Sequence, residues 1–449
     1  MSHYWLDHAL LPHGWARHVR VSVNEWGLIT AVEPGATREG AIAFAGSAVP
    51  GMPNCHSHAF QRAMAGCAER ASVGDDDFWS WRKIMYALAA QITPQDLNAI
   101  AAQLYVEMLK AGYTSVAEFH YLHHAPAHAD ILEMSEAVMH AAELSGIRHT
   151  HLPVLYQTSQ FGGHAPEPHQ QRFVLSVDEY LRLLHELDAK SKTRSRQHIG
   201  LAFHSLRAVP PQSLTEVLES RGLSLQNRPV HIHIAEQTAE VDACLRWSGQ
   251  RPVEWLLTHA PVNRQWCLVH ATHMQPQEVT ALAQSAAVVG LCPTTEANLG
   301  DGLFPLPAYL QSHGALSIGS DSHVSVSPVE ELRWLEYGQR LALRRRNVSA
   351  DLWPRALAGG AAALGQPTGA IAPGNAADFI VLDTSTPAFA SARDDQLLDR
   401  FIFTGNINPI RHVIVGGNHV VRDGRHVGEE EIAQAFHAAM TRLQEPLRN

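Results

Sequence analysis

The stretch AVPGMPNCHSHAFQRAMAG, residues 48–66, places two histidines one residue apart, just after an apolar run broken by Pro50, Gly51 and Pro53. Alternate side chains of an extended chain share a face, so His56 and His58 present two imidazoles together, a pair suited to one metal ion. The chain holds 29 histidines, so the pair gains meaning only if other ligands converge on it. Candidates stand at the ends of other apolar runs: His231, His233 and Glu236 in VHIHIAE, His270 in LVHATH and Asp321 in IGSDSH. Imidazoles and a carboxylate gathered from separate stretches match a divalent-metal site with room for water. Such an ion lowers the pKa of bound water toward neutrality. Asp321 can then accept a proton, His270 can orient the nucleophile or stabilise developing charge, and Glu236 can carry a proton to a leaving nitrogen. The expected chemistry is hydrolytic loss of ammonia from a C=N carbon.

These residues need a scaffold that brings strand ends together. Apolar strands are expected near AIAFAGSAVPGM, TSVAEFHY, HTHLPVLYQ, HIGLAFHSL, PVHIHIAE, QWCLVHAT, AAVVGLCP and GALSIGSD. Amphipathic segments such as PQDLNAIAAQLYVEMLKAG and PQSLTEVLESRG separate them. Eight β-then-α units predict an α/β fold, a distorted (β/α)8 TIM-like barrel over residues 49–372, whose loops after the strands converge on one cavity. Residues 1–48 and 373–449 carry short alternating strands such as ADFIVLD and IRHVIVGGNHVVRDG. They are expected to pair into one small β domain, with a helix from Glu429 onward.

Composition narrows the partners. Thirty-four Lys+Arg against 44 Asp+Glu give a net charge of −10, which argues against a nucleic-acid or anionic-membrane surface. Arg344, Arg345 and Arg346 close a stretch of helical periodicity and read as a solvated helix face. The five cysteines are scattered and lack a C-x-x-C, so neither a disulfide framework nor a thiolate zinc site is expected. No signal-like segment opens the chain and no apolar run is long enough to span a bilayer, so a cytoplasmic protein is expected. At the cavity rim, DDDFWSWRKIMY sets Arg82 among Phe78, Trp79 and Trp81, while FHSLRAV supplies His204 and Arg207. Sheltered arginines suit two-pronged binding of carboxylates, and two of them suggest a small-molecule substrate with two carboxylates. The plainer alternatives are a surface ion pair for Arg82 and a loop tether for Arg207.

The motifs P-G-x-x-N-x-H-x-H, H-x-x-E, a later His, S-D and GNAADFIVLD, in this order, resemble the amidohydrolase superfamily over nearly the whole chain. The resemblance implies that His56, His58, His233 and Asp321 bind metal, that Glu236 and His270 are acid–base partners, and that both chain ends form a small β-sandwich. Binuclear members commonly bridge their metals with a carboxylated lysine after strand four. The four lysines here are Lys83, Lys110, Lys190 and Lys192, none within IGLAFHSLRAV, so one divalent ion per chain is expected. His231 is read as a residue that supports a ligand or packs, with a further ligand as the alternative.

A narrower likeness rests on PNCHSHAFQRAMAG, FWSWR, AEFHYLHH, FHSLRAV, HIHIAEQ, CLVHATH, CPTTEANLGDG and GSDSHVS. These resemble the N-formimino-L-glutamate deiminase family of histidine degradation. That resemblance implies Zn2+, a homodimer, and substrate contacts by Gln61, Arg82, Tyr121, His204 and Arg207; Gln61 and Tyr121 carry no signal of their own. A related enzyme deaminating a purine or pterin ring is the alternative, since Trp79 and Trp81 suit a flat substrate. A non-catalytic scaffold of the same fold could have lost its ligands, yet the whole set is present. A metal-storage protein would concentrate its histidines in a tract.

Overall fold

A computed structural model of the chain describes residues 1–69, 78–126, 130–220, 226–349 and 351–444, with the side chains of 78–80 outside that description. Among the described residues, the parallel strands Met52–Ser57, Tyr113–His120, Arg148–Leu155, Leu201–Phe203, Val230–Ile234, Trp266–His270, Val288–Leu291 and Ala315–Ile318 pair in sequence order. They are called barrel strands one to eight below. Every residue of strands one to seven is buried, as expected of strands covered on both faces.

The helices between them are locally specified. Pro94–Ala111 starts with a Thr93/Asp96 capping box and a proline in its first turn, and ends at Gly112, whose φ of 107° only glycine adopts easily. Pro211–Ser220 fills the second helical segment expected from the sequence. Strand four is short because Gly200 separates it from Gln197–Ile199. A Cβ at Gly200 would lie 2.4 Å from Leu152 Cδ2 and 3.0 Å from the Pro229 carbonyl.

The seam between strands eight and one bears directly on the site. Asp321 N donates to His56 O at 3.1 Å, His58 N donates to Asp321 O at 3.2 Å, and Ser320 N donates to the Asn54 side chain at 3.1 Å. A Cβ at Gly319 would meet the His56 backbone at 2.8 Å, so glycine permits this approach. The loop after strand eight is thereby stitched to the end of strand one.

The two chain ends supply a separate eight-stranded sheet, including Ser2–Leu11, Gly14–Val23, Ile42–Pro50, Phe379–Leu382 and Ile410–Val415. It encloses its own apolar core of Tyr4, Leu6, Val21, Phe44, Phe379 and Ile414. The helix Glu429–Gln444 follows and packs on Pro94–Ala111, with Arg442 paired to Asp96. One expectation is corrected. AIAFAGSAVPGM is not the first barrel strand: Ile42–Pro50 pairs with Ser2–Leu11 and Phe379–Leu382, and the barrel begins only at Met52. Gly51 and the flanking prolines mark that hand-over between sheets. Among the described residues, no helix is long and apolar enough to cross a membrane.

Candidate active site

The ends of strands one, five and eight bring His56, His58, His233 and Asp321 together, each offering one donor atom within 4.8 Å of the others. His56 Nε2 lies 3.1 Å from His58 Nε2 and 2.9 Å from His233 Nε2. Asp321 Oδ1 is 3.5 Å from His56 Nε2 and 3.3 Å from His58 Nε2. Donors on a tetrahedral zinc, at bond lengths of about 2.0–2.1 Å, stand roughly 3.3 Å apart, so the spacing fits an ion.

The tautomers agree. His58 Nδ1 donates to the Phe119 carbonyl at 2.9 Å and His233 Nδ1 donates to the His204 carbonyl at 3.0 Å. Each Nε2 is therefore left as a lone pair aimed at the cluster. Burial, then neighbouring imidazoles, holds His56 and His233 well below the usual histidine range; burial also lowers His58 against the pull of Asp321. All three are in the neutral form that binds metal. Lone pairs and a carboxylate facing one point, with little water, repel one another unless a cation lies between them.

The carboxyl ends of the strands are also where the backbone is bent. Ala235, His270, Ala271 and Asp321 all have positive φ, from 45° to 68°. Non-glycine residues adopt this region at some cost, and here the turns aim Glu236, His270 and Asp321 into one space.

His270 faces three carboxylates. Its Nε2 lies 3.8 Å from Glu236 Oε1 and 3.8 Å from Asp321 Oδ2, and its Nδ1 lies 3.3 Å from Glu296 Oε1. Burial opposes its charge, but Glu236, Glu296 and Asp321 prevail and push its pKa up to about 10. Burial raises the Glu236 carboxyl, partly offset by His270, so this group holds a proton more readily than a surface glutamate. Neighbouring Glu240, raised to about 7 by burial and by Glu236, accepts from the backbone N–H groups of Ala235 and Glu236 at 3.2 and 3.1 Å. It fixes the turn that carries Glu236.

A cavity of about 690 Å3, counting its open mouth, joins these groups to the rest of the sequence-derived set. Gln61, Arg82, Tyr121, His204 and Arg207 all line it together with His58, His233, Glu236, His270 and Asp321. Gln61 Nε2 donates to Tyr121 OH at 2.9 Å, and both side chains are buried. Arg82 donates to Tyr86 OH. Arg207 is partly a tether, with Nη1 donating to Ser159 O at 3.1 Å, and it also faces the cavity. Trp81 lines the wall as well; the side chains of Phe78 and Trp79 lie outside the described residues. His231 stays apart from the cluster, its Nε2 bonded to Ala363 O at 2.8 Å, in keeping with a packing role.

Sequence reasoning missed Tyr86, Tyr156, Glu240 and Glu296, and also Glu118. Glu118 accepts from Ser57 Oγ and Ala59 N, both at 2.6 Å, and from Tyr105 OH at 3.1 Å, so it anchors the turn bearing His58. A carboxylate inside the apolar run TSVAEFHY was a usable signal; the tyrosines carried none.

The amidohydrolase family model matches residues 47–420. A formimidoylglutamate deiminase from Pseudomonas aeruginosa is 52% identical, over 97% of this chain and 98% of its own. A 5-methylthioadenosine/S-adenosylhomocysteine deaminase from Natronomonas pharaonis is 27% identical, over 84% of this chain and 81% of its own. A crystal structure of an amidohydrolase from Brucella melitensis superposes with a TM-score of 0.93 at 42% identity, covering 99% of this chain and all of that one.

Proposed function

The chain belongs to the amidohydrolase family, and from that premise we propose that it hydrolyses N-formimino-L-glutamate. Water replaces the imino nitrogen, giving N-formyl-L-glutamate and ammonia. The observation that carries the reading is a single cavity lined both by His58, His233 and Asp321, donors of the cluster that includes His56, and by Arg82 and Arg207. The donors suit the reacting carbon, and the arginines suit the two carboxylates of a glutamate skeleton. The strong likeness to the Pseudomonas deiminase supports this choice of substrate.

Three imidazoles and one carboxylate are a donor set for one divalent ion, read here as Zn2+. Once bound, that ion supplies Lewis acidity and water activation at neutral pH. Asp321 turns Oδ1 toward His56 and His58 and leaves Oδ2 on the His270 side, so Oδ2 takes a proton from the attacking water. His270, kept charged by its carboxylates, orients that water and stabilises negative charge as the tetrahedral carbon forms. Glu236, whose carboxyl burial raises, carries a proton to the departing nitrogen. Gln61, Tyr121 and His204 line the same cavity and hold the formimino group and chain of the substrate. We read the protein as a cytoplasmic homodimer working in histidine degradation.

The test is ammonia release by metal-analysed protein, with N-formimino-L-glutamate beside adenosine-type ring amines. Release from the glutamate derivative alone is expected. Release only from a ring amine transfers the same acid–base set to a purine substrate, the activity named in the Natronomonas relative.

A further inference from the structure

Arg82 is connected to Tyr156, a cavity neighbour of Arg207, through groups for which the reaction itself has no use. Gln170 lies in the short 3-10 helix Pro168–Phe173, is 4% exposed and does not line the catalytic cavity. Its Oε1 accepts from Glu167 N at 2.8 Å, closing the capping box that starts this helix. That contact fixes which end of the amide is which, since the oxygen must face the backbone N–H. Nε2 therefore points the other way, donating to Tyr156 OH at 2.9 Å and to Tyr86 OH at 3.2 Å.

One of these tyrosines in turn meets an arginine: Tyr86 OH accepts from Arg82, while Tyr156 lines the same cavity as Arg207. A continuous chain results: Arg82, Tyr86, Gln170, Tyr156. Phe173, from the same short helix, packs against the rings of Tyr86, Tyr121 and Tyr156 at centroid distances of 5.9, 5.0 and 6.0 Å. The polar bridge and its apolar support thus come from one segment.

Direction follows from counting donors. Neither the guanidinium groups nor the Gln170 amide nitrogen can accept a hydrogen bond. The Tyr86 oxygen therefore accepts twice and the Tyr156 oxygen once, and each phenol proton must be donated elsewhere. Tyr86 and Tyr156 both line the cavity.

We propose that Gln170 is a positioning residue for substrate recognition: it holds Arg82 in place through Tyr86 and turns the Tyr86 and Tyr156 hydroxyl protons into the cavity. There they donate to carboxylate oxygens beside the arginines. This rests on the dicarboxylate reading above and adds two hydroxyl donors to it. A dicarboxylate meets donors already in place, while a neutral ring leaves them without acceptors.

The test compares Gln170→Met and Gln170→Glu in the metal-loaded enzyme. Q170M removes the bridge. Q170E keeps the length and an acceptor for Glu167 N, but its second oxygen accepts from the phenols and draws their protons out of the cavity. Both variants should raise KM for N-formimino-L-glutamate about tenfold or more, lower kcat less than about threefold, and retain metal. If the wild type is active and Q170E shows unchanged KM, or loses only kcat, the Gln170 inference is overturned and the substrate reading stands. If the wild type leaves this substrate untouched, the substrate reading falls, and crystal structures of wild type and Q170M decide the positioning claim. An Arg82 guanidinium displaced in Q170M supports it; an unmoved one overturns it.

Discussion

His149 and His151, in RHTH, repeat the H-x-H spacing of His56 and His58, in CHSH, and are as deeply buried on the same barrel. With His120 and His123 they form a second histidine group, with ring centroids 5.2–5.7 Å apart. Yet neither ring nitrogen of His149 or His151 has a hydrogen-bond partner, and among the described residues these rings do not bring donor atoms together as His56, His58 and His233 do. The difference is the face of the strand. Thr150, between them, reaches the Leu364 carbonyl, whereas His149 turns toward Tyr105 on the outer helix Pro94–Ala111, at 5.8 Å. Phe119 lies against the inner cluster, 5.0 Å from His56 and 4.4 Å from His233. A motif thus becomes a metal site when its strand turns it toward the mouth, its donors meet those of another strand, as His58 and His233 do with their far ring nitrogens pinned on carbonyls, and a carboxylate joins them.

The sharpest way to break this comparison is to remove the ion. Chelation, or His56→Ala, should reduce ammonia release to background, and re-addition of Zn2+ should restore the chelated enzyme but not the variant. Glu236→Gln comes next: with metal retained, kcat should fall about 10²–10⁴-fold, as expected for a lost proton carrier. Arg207→Met should act on binding instead. Loss of a charged hydrogen bond costs about 1.5–3 kcal/mol, or roughly 10–150-fold in KM, with a smaller change in kcat.

The smallest effect belongs to the outer group. His149→Leu should leave metal content unchanged and kcat within about twofold, because neither ring nitrogen has a partner to lose. Its signature is in stability against pH. Burial holds the His149 pKa down to about 3, against 6.5 for an unperturbed histidine. Between these values the unfolded chain binds a proton that the folded protein refuses. The stabilisation is complete above about pH 6.5 and is lost as pH falls toward 3, by up to about 1.4 kcal/mol per pH unit. Urea melts of H149L should show a correspondingly shallower loss between pH 6.5 and 4; an identical slope would remove His149 from this account.

Much of the site was legible because barrel chemistry collects at strand ends. Apolar runs closing in His, His-x-His or Ser-Asp located the donors, and a TIM-like barrel brings such ends together. Arg82 was visible among the aromatic residues of FWSWR and Arg207 in FHSLRAV, after the strand end. The first barrel strand was misplaced because Ile42–Pro50 and Met52–Ser57 are nearly continuous, and alternation cannot show that the chain changes sheets at Gly51. Glu296 and Glu240 were hidden in helices, where a glutamate ordinarily faces water; only tertiary packing turns Glu296 to His270 and Glu240 to the Glu236 turn. Gln170 was out of reach because its role depends on the direction of hydrogen bonds to two tyrosines 84 and 14 residues away in sequence.

The central claim is that one ion, held by the inner histidines and Asp321, drives the hydrolysis. The direct measurement titrates Zn2+ into metal-free protein while counting bound metal and following ammonia release from N-formimino-L-glutamate. Activity should rise linearly and stop at one equivalent per chain. Full activity in the metal-free protein, or a rise continuing to two equivalents, would contradict it.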